Sequence, residues 1–358
     1  MHLETLRLSD FRNYSDAELS PAPTGITLIT GGNGSGKTNL LEAVAYLSTL
    51  RSFRGSPPAA LVRAGCEAAV ARAVVADPPR RVPIDAEIRP LGRDRVRVNG
   101  QPLRRQRDLR STLAVTVFSP DDLALVKGGP AERRAYLDDL LVSCRPRLEA
   151  VVSEVERVIR QRNALLKSLA GRSPDENALF TLDVWDSKLG DAGTELVEAR
   201  ARLCSDLSPL ISGAYQDLAG PAATSLSYRP SWDGALTDAL ASARRDDLRR
   251  GVTTIGPHRD EVELTIAGMP ARTHASQGEQ RTLALALRLA GHRLVRAASD
   301  QAPVLLLDDV FSELDADRSA ALLEALGDGQ ALLTTAGSPP AGAPVAARFT
   351  AAQGKILT

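Results

Sequence analysis

The octapeptide Gly31–Thr38, GGNGSGKT, constrains this chain more than any other feature. An apolar run with Ile26, Leu28 and Ile29 precedes it. Behind it, Asn39 to Leu50 places Leu40, Leu41, Val44 and Leu47 on one face of a helix. Strand, glycine loop and helix in that order make a phosphate cradle. Gly31, Gly32, Gly34 and Gly36, with Asn33 and Ser35 between them, let successive backbone N–H groups turn inward on phosphate oxygens. The following helix adds its positive N-terminal end. Lys37 is placed to reach the β- and γ-phosphates, and Thr38 to offer its hydroxyl to Mg²⁺. ATP and Mg²⁺ are the ligands this pattern implies.

A second set of motifs lies far along the chain. An apolar strand, Val304 to Leu307, carries Asp308 to a sheet edge, where it can hold Mg²⁺. Asp309 follows at once, placed to orient or deprotonate an attacking water. Ser276, Gln277, Gly278, Glu279 and Gln280 form SQGEQ, which offers a hydroxyl, free amides and a helix start to one anionic group. A single chain already has one helix N-terminus on the phosphates. The second therefore fits best if a partner subunit supplies it. Ser276 and Glu279 also have the spacing of a capping box, and both readings can hold together.

With 358 residues, 43% hydrophobic and 25% charged, the chain has an ordinary globular composition and room for a sizeable core. No apolar run reaches bilayer length, and MHLETLRLSD lacks the layout of a secretory signal. A cytoplasmic protein without membrane segments is expected. Cys66, Cys144 and Cys204 are odd in number and widely spaced, so they read as reduced thiols rather than metal ligands. Net charge is zero, so a nucleic-acid role has to use a local basic patch.

Both chain ends read as β-rich and the middle as helical. From Ala68 to Val98, short β-rich runs are broken by Pro78-Pro79 and end at the hairpin signal Asn99-Gly100. Ala114 to Phe118 is a further strand. Leu137, Leu141, Cys144, Leu148, Val151, Val155, Val158, Leu165 and Leu169 then recur at helical steps, missing one beat at Arg162. Pro146 starts a new helix or kinks this one. After a polar break, Gly171 to Asn177, the rhythm resumes with Trp185, Leu189, Ala192, Leu196, Ala199 and Leu203. The two stretches read equally as an antiparallel hairpin or as core helices of a bundle. Strands return at Glu261 to Ile266, Val304 to Leu307 and Ala331 to Thr334. The expected organisation is an α/β head from residues 1–122 and 252–358, with a smaller, mainly helical domain, 123–251, inserted between.

Gly31–Thr38, Ser276–Gln280, Leu305–Asp309 and Ser312–Asp315 follow the motif order of ABC-type ATPase heads. Far more chain separates Thr38 from Ser276 than in transport ATPases. LRLSDFRNY (Leu6 to Tyr14), RSFR (Arg51 to Arg54), DDLALVKGGPAERRAYLD (Asp121 to Asp138), GPHRDE (Gly256 to Glu261) and LLLDDVFSELDADR (Leu305 to Arg318) together resemble the bacterial RecF family of recombination mediators. The resemblance spans nearly the whole chain. It implies an SMC-like ATPase head with a mixed β-sheet and ATP-dependent homodimers. It also implies binding to DNA at single-strand gaps or junctions, and a RecR-type partner in loading recombinase.

The chain departs from the ABC pattern. Asp309 stands where glutamate is usual, Thr335 where a switch histidine is expected, and Ser119 to Asp122 holds no glutamine. These departures imply slow, DNA-stimulated hydrolysis, with ATP acting mainly as a clamp. Phe53 occupies a position where the family would have histidine, so RSFR carries no assigned role. Candidate DNA surfaces are Arg89, Arg93, Arg95 and Arg97; Arg104, Arg105, Arg107 and Arg110; Arg133-Arg134; and Arg244-Arg245 with Arg249-Arg250. No recognition helix or zinc finger is apparent, so sequence-specific readout is not expected. His258 in GPHRDE reads as near the nucleotide or as a structural hydrogen-bonding group. The alternatives are an SMC-like DNA tether and, opposed by the long gap before SQGEQ, a transporter ATPase subunit.

Overall fold

The computed structural model describes residues 1–169, 174–299 and 302–357. The chain divides into two compact units. The first comprises Met1–Asp122, Asp217–Gly220 and Leu285–Thr358; the second comprises Leu123–Gln216 and Pro221–Ala284.

Two six-stranded sheets build the first unit. In one, Val345–Ala352, Gly25–Thr30, Gln330–Thr335, Val304–Asp308 and Val115–Phe118 lie side by side in that order, all parallel. Lys355–Leu357 adds an antiparallel edge. Parallel strands are covered on both faces and so tolerate unbroken apolar runs. Leu28, Ile29, Leu305, Leu306, Leu307, Leu332 and Leu333 are accordingly buried. The second sheet is antiparallel, in the order Tyr14–Leu19, His2–Phe11, Ala69–Asp77, Arg80–Ile88, Arg95–Val98, Gln101–Pro102. Its inner residues, among them Leu6, Leu8, Ala71, Ile84 and Ala86, share one core with Leu40, Leu41, Val44 and Leu47 of the helix Lys37–Thr49. The hairpin at Asn99-Gly100 forms as expected, with φ of 51° and 73° at the two turn residues.

The second unit holds the helices Pro130–Cys144, Glu149–Leu169 and Leu236–Arg250, most of Glu176–Ala219, and a three-stranded antiparallel sheet. Residues 252–284, expected in the head, cluster here instead. The cause is pairing: Glu261–Ile266 runs against Thr224–Arg229 in unbroken register, with Leu264 opposite Leu226. The inserted unit therefore carries its own small sheet beside its helices. Pro146 opens a short 3₁₀ turn before the helix Glu149–Leu169. The expected polar break falls partly on residues 171–173, outside the described residues.

The missing beat at Arg162 has a physical cause. This side chain is fully buried, with two carboxyl groups and a hydroxyl against it. Its Nε donates to Asp186 at 2.6 Å, and its Nη1 donates to Asp247 at 2.6 Å and to the Thr253 hydroxyl at 3.0 Å. Arg244 reaches Asp186 at 2.6 Å. Three helices, Glu149–Leu169, Glu176–Ala219 and Leu236–Arg250, thus meet on one ionic cluster, which matches the bundle reading. Removing one member of a buried ion pair strands the others in low dielectric. Arg162→Met is expected to lower the unfolding free energy by about 3–5 kcal/mol, as measured by urea denaturation.

Candidate functional site

In the first unit, the loop Gly31–Thr38 joins the strand Gly25–Thr30 to the helix Lys37–Thr49. Two glycines in it are required by space as well as by φ. A Cβ on Gly31 (φ 149°) would lie 2.3 Å from the Ala351 carbonyl oxygen. A Cβ on Gly36 (φ 109°) would lie 2.5 Å from the Asn13 amide and 2.8 Å from the Tyr14 hydroxyl. Lys37 folds back over the loop, its Nζ donating to the carbonyls of Gly31 at 2.8 Å and Gly32 at 2.9 Å. The ammonium thus already lies over the cradle.

The distant acids arrive at the same place. Thr38 donates from Oγ1 to Oδ1 of Asp308 at 2.9 Å. Thr334, at the end of the neighbouring strand, donates to the same oxygen at 2.7 Å and accepts the Asp309 amide at 3.1 Å. Burial raises the Asp308 pKa, and the hydrogen bonds from Thr334 and Thr38 oppose that rise. Asp309 turns the chain in the left-handed region, φ 49°.

Three polar atoms around this cradle are buried without a hydrogen-bond partner among the described residues: Ser35 Oγ, Tyr14 OH and Asp309 Oδ1. Buried polar atoms are normally satisfied, so these orphans suit an anionic, oxygen-rich ligand and its water. The donor set also fits a hard cation, because Thr38 and Asp308 supply only oxygen. Thr38 and Asp308 would hold Mg²⁺, which when bound offsets charge on the phosphate oxygens.

Sequence reasoning assigned no roles to the groups that brace this loop. Asn13 donates to the Ser35 carbonyl at 3.0 Å and accepts from Asn39 at 2.8 Å. Arg12 makes a two-pronged pair with the fully buried Glu42, at 2.8 and 2.7 Å, and bonds Ser56 at 2.7 Å. Ser52 donates to Glu42 at 2.5 Å, and Arg54 lies 3.9 Å from it and 3.4 Å from Asn39 Oδ1. FRNY and RSFR therefore act together to anchor the first turns of the phosphate-loop helix. The signal was a charged residue, Glu42, inside a helix that is buried nearly all round, on the side away from Leu40, Leu41, Val44 and Leu47.

SQGEQ lies in the second unit. Ser276 and Glu279 form the capping box, Glu279 Oε2 accepting the Ser276 amide at 2.7 Å and Ser276 Oγ accepting the Glu279 amide at 3.3 Å. Those bonds lower the Glu279 pKa. Gln280 is buried and bonds the carbonyls of Ala271 and Arg272, both at 3.1 Å. Ser276 and Gln277 remain exposed. At the switch-histidine position, Thr335 Oγ1 accepts the Gly337 amide at 3.1 Å. In place of the absent glutamine, Asp122 pairs with Arg288 at 2.6 Å. His258 bonds the Thr253 carbonyl at 3.0 Å, burial lowers its pKa to about 4, and its Nδ1 is buried without a partner among the described residues.

Residues 2–336 match the RecF/RecN/SMC N-terminal domain family. A "DNA replication and repair protein RecF" of Frankia alni is 44% identical over all of this chain and 99% of its own length. Another, of Streptomyces avermitilis, is 44% identical over 99% of both. The chain belongs to the RecF family. A solved structure described as "the recombination mediator protein RecF-ATP in RecFOR pathway" is 27% identical, with TM-score 0.91, covering 99% of this chain and 97% of the other. An Smc head domain of Pyrococcus furiosus shares the fold at 16% identity and TM-score 0.57, covering 99% and 96%. The ABC-type, SMC-like head expected from the motif order is thus the fold of this RecF-family chain.

Thr334→Val keeps the shape and removes one hydroxyl that serves both acids. A buried hydrogen bond to a charged group contributes about 1.5–3 kcal/mol, so roughly ten- to a hundredfold slower MgATP turnover is expected. Nucleotide affinity measured in EDTA should stay near wild type, and Thr334→Ser should restore turnover.

Proposed function

We propose that this chain is an ATP-switched, DNA-binding protein of recombinational repair and replication restart, acting in the cytoplasm with a RecR-type mediator partner. The observation that carries the ATP part is the meeting of Lys37, Thr38, Asp308 and Asp309 at one glycine cradle. The DNA part rests on family membership and on the relatives' names. No helix among the described residues is long and apolar enough to cross a membrane.

ATP enters with its phosphates on the amides of Gly31–Thr38 and against Lys37. Two copies then close head to tail. Ser276 and the Gly278 amide of one copy meet the γ-phosphate held by the other, in trans. The exposed Ser276 hydroxyl and the helix start at Gln277 suit that contact. Closure clamps DNA at a gap or junction without reading its sequence. Water later attacks the γ-phosphorus as the bond to the β–γ bridging oxygen breaks, and Asp309 accepts the water's proton. The copies then separate. The shorter Asp309 side chain and the missing switch histidine make this step slow, so ATP sets a state rather than driving repeated strokes.

Ser276→Arg is expected to keep ATP affinity and lose ATP-induced dimers in sedimentation runs; intact dimers would remove the trans contact. Asp309→Asn should bind ATP yet release phosphate at least tenfold more slowly, and an unchanged rate would take Asp309 out of its assigned role.

A further inference from the structure

The candidate arginine clusters differ in what their charges already do. Arg133 is buried and bonds Glu261 at 2.9 Å and the Gly128 carbonyl at 3.0 Å. Arg134 is bound to the Asp260 carbonyl. Arg244 holds Asp183 and Asp186, both at 2.6 Å, and Arg249 holds Asp246 at 3.0 Å, whereas Arg245 and Arg250 of the same helix are exposed and make no close ion pair among the described residues, so they are the competing surface. Arg89 is occupied by Glu87 at 2.5 Å. Arg93, Arg97, Arg104 and Arg105 are exposed and Arg107 is half-buried. Arg97 feels the Glu87 carboxylate beside it, which Arg89 already holds more tightly, and none of the five makes a close ion pair among the described residues.

These five flank the last ribbon of the antiparallel sheet: Arg93 just before it, Arg97 on it, Arg104 and Arg105 in the loop that leaves it, and Arg107 at the start of the helix Arg107–Thr112. Arg97 sits on the strand Arg95–Val98, next to the edge strand Gln101–Pro102, with Val96 turned inward. Asp85 lies opposite Arg97 but is taken by Arg72 at 3.3 Å. Arg97 also pairs with Pro102 across the hairpin, and the Leu103 amide bonds the Val96 carbonyl at 2.8 Å, which carries the pairing further. Arg104 and Arg105 follow directly in the loop that leaves this ribbon. Like charges gathered along one short stretch of chain repel, and an anion between them lowers that cost.

The ribbon is also fixed in advance. Tyr46, on the phosphate-loop helix, donates its hydroxyl to Asp94, whose other oxygen accepts the Arg89 amide at 3.1 Å. Past the hairpin, Gln106 donates to the Thr49 carbonyl at the end of the same helix. Side chains on a pre-anchored backbone lose less freedom on binding.

We propose that Arg93, Arg97, Arg104, Arg105 and Arg107 form the surface of this chain that grips nucleic-acid phosphates. The assignment rests on the DNA-binding reading above and names the residues that carry it. Guanidinium groups suit phosphate oxygens because their donors are planar and paired.

The test is anisotropy of a fluorescein-labelled gapped duplex with MgATP over a salt series. The triple variant R97A/R104A/R105A is expected to bind at least tenfold more weakly. Its log–log salt slope should be shallower by roughly 0.9 for each phosphate it no longer neutralises. The corresponding lysine triple should keep the slope, which separates missing charge from a damaged fold, and the control R245A/R250A should behave as wild type. An alanine triple with wild-type affinity and slope overturns the surface, as does a lysine triple as weak as the alanine one. A control that weakens binding as much moves the phosphate grip to the helix Leu236–Arg250 and overturns the surface too. Failure of the wild type itself to bind the duplex overturns the DNA reading, and this assignment with it.

Discussion

One carboxylate oxygen ties the nucleotide end of the first unit together. Asp308 Oδ1 receives the hydroxyls of Thr38, at the start of the phosphate-loop helix, and Thr334, at the end of an adjacent strand. The start of the phosphate-loop helix and, through Thr334, the Asp309 amide are therefore tied to a single shared acceptor on Asp308. Each hydroxyl costs little to hold, because it sits on a strand end or helix start that the parallel core has already fixed. The site is assembled by sheet order: Thr38 and Asp308, distant in sequence, meet because Gln330–Thr335 lies between the two strands that lead to them.

A second layer of polar contacts keeps the loop in place. Glu42 is a buried charge on the side of the helix away from Leu40 and Val44, and Arg12, Ser52 and Arg54 gather on it. A buried carboxylate is tolerated only when its oxygens are met by donors. The pairing turns the N-terminal strand, the phosphate-loop helix and the segment after it into one piece. Through Tyr46 and Gln106 the arginine ribbon is attached to the far end of that same helix. Nucleotide and nucleic acid would thus act on opposite ends of one rigid rod, which gives a switch a short physical route.

Much of this is legible in the sequence because its determinants are local. The glycines, Lys37 and Thr38 announce themselves by spacing, and Val304–Asp308 by an unbroken apolar run ending in acids. The capping box of Ser276 and Glu279 is equally plain. Pairing between distant segments is not. Nothing in Glu261–Ile266 says that its partner is Thr224–Arg229 rather than a strand of the head, so sequence alone assigns residues 252–284 to the head, whereas they cluster with the inserted unit. The gap in the helical rhythm at Arg162 is visible, but its meaning needs Asp186 and Asp247 in space. Thr334 and Glu42 belong to no motif; each acts through a neighbour brought by the fold. The choice among arginine clusters is likewise closed to sequence, since it depends on which charges are already spent on carboxylates and on which backbone is anchored by distant contacts.

The central claim is that bound ATP makes two copies complete each other's site. Mass measured in solution by light scattering, with and without saturating MgATP on a gapped duplex, tests it most directly. The account predicts a monomer without nucleotide and a dimer with it. A monomer that persists with nucleotide fully bound would contradict it.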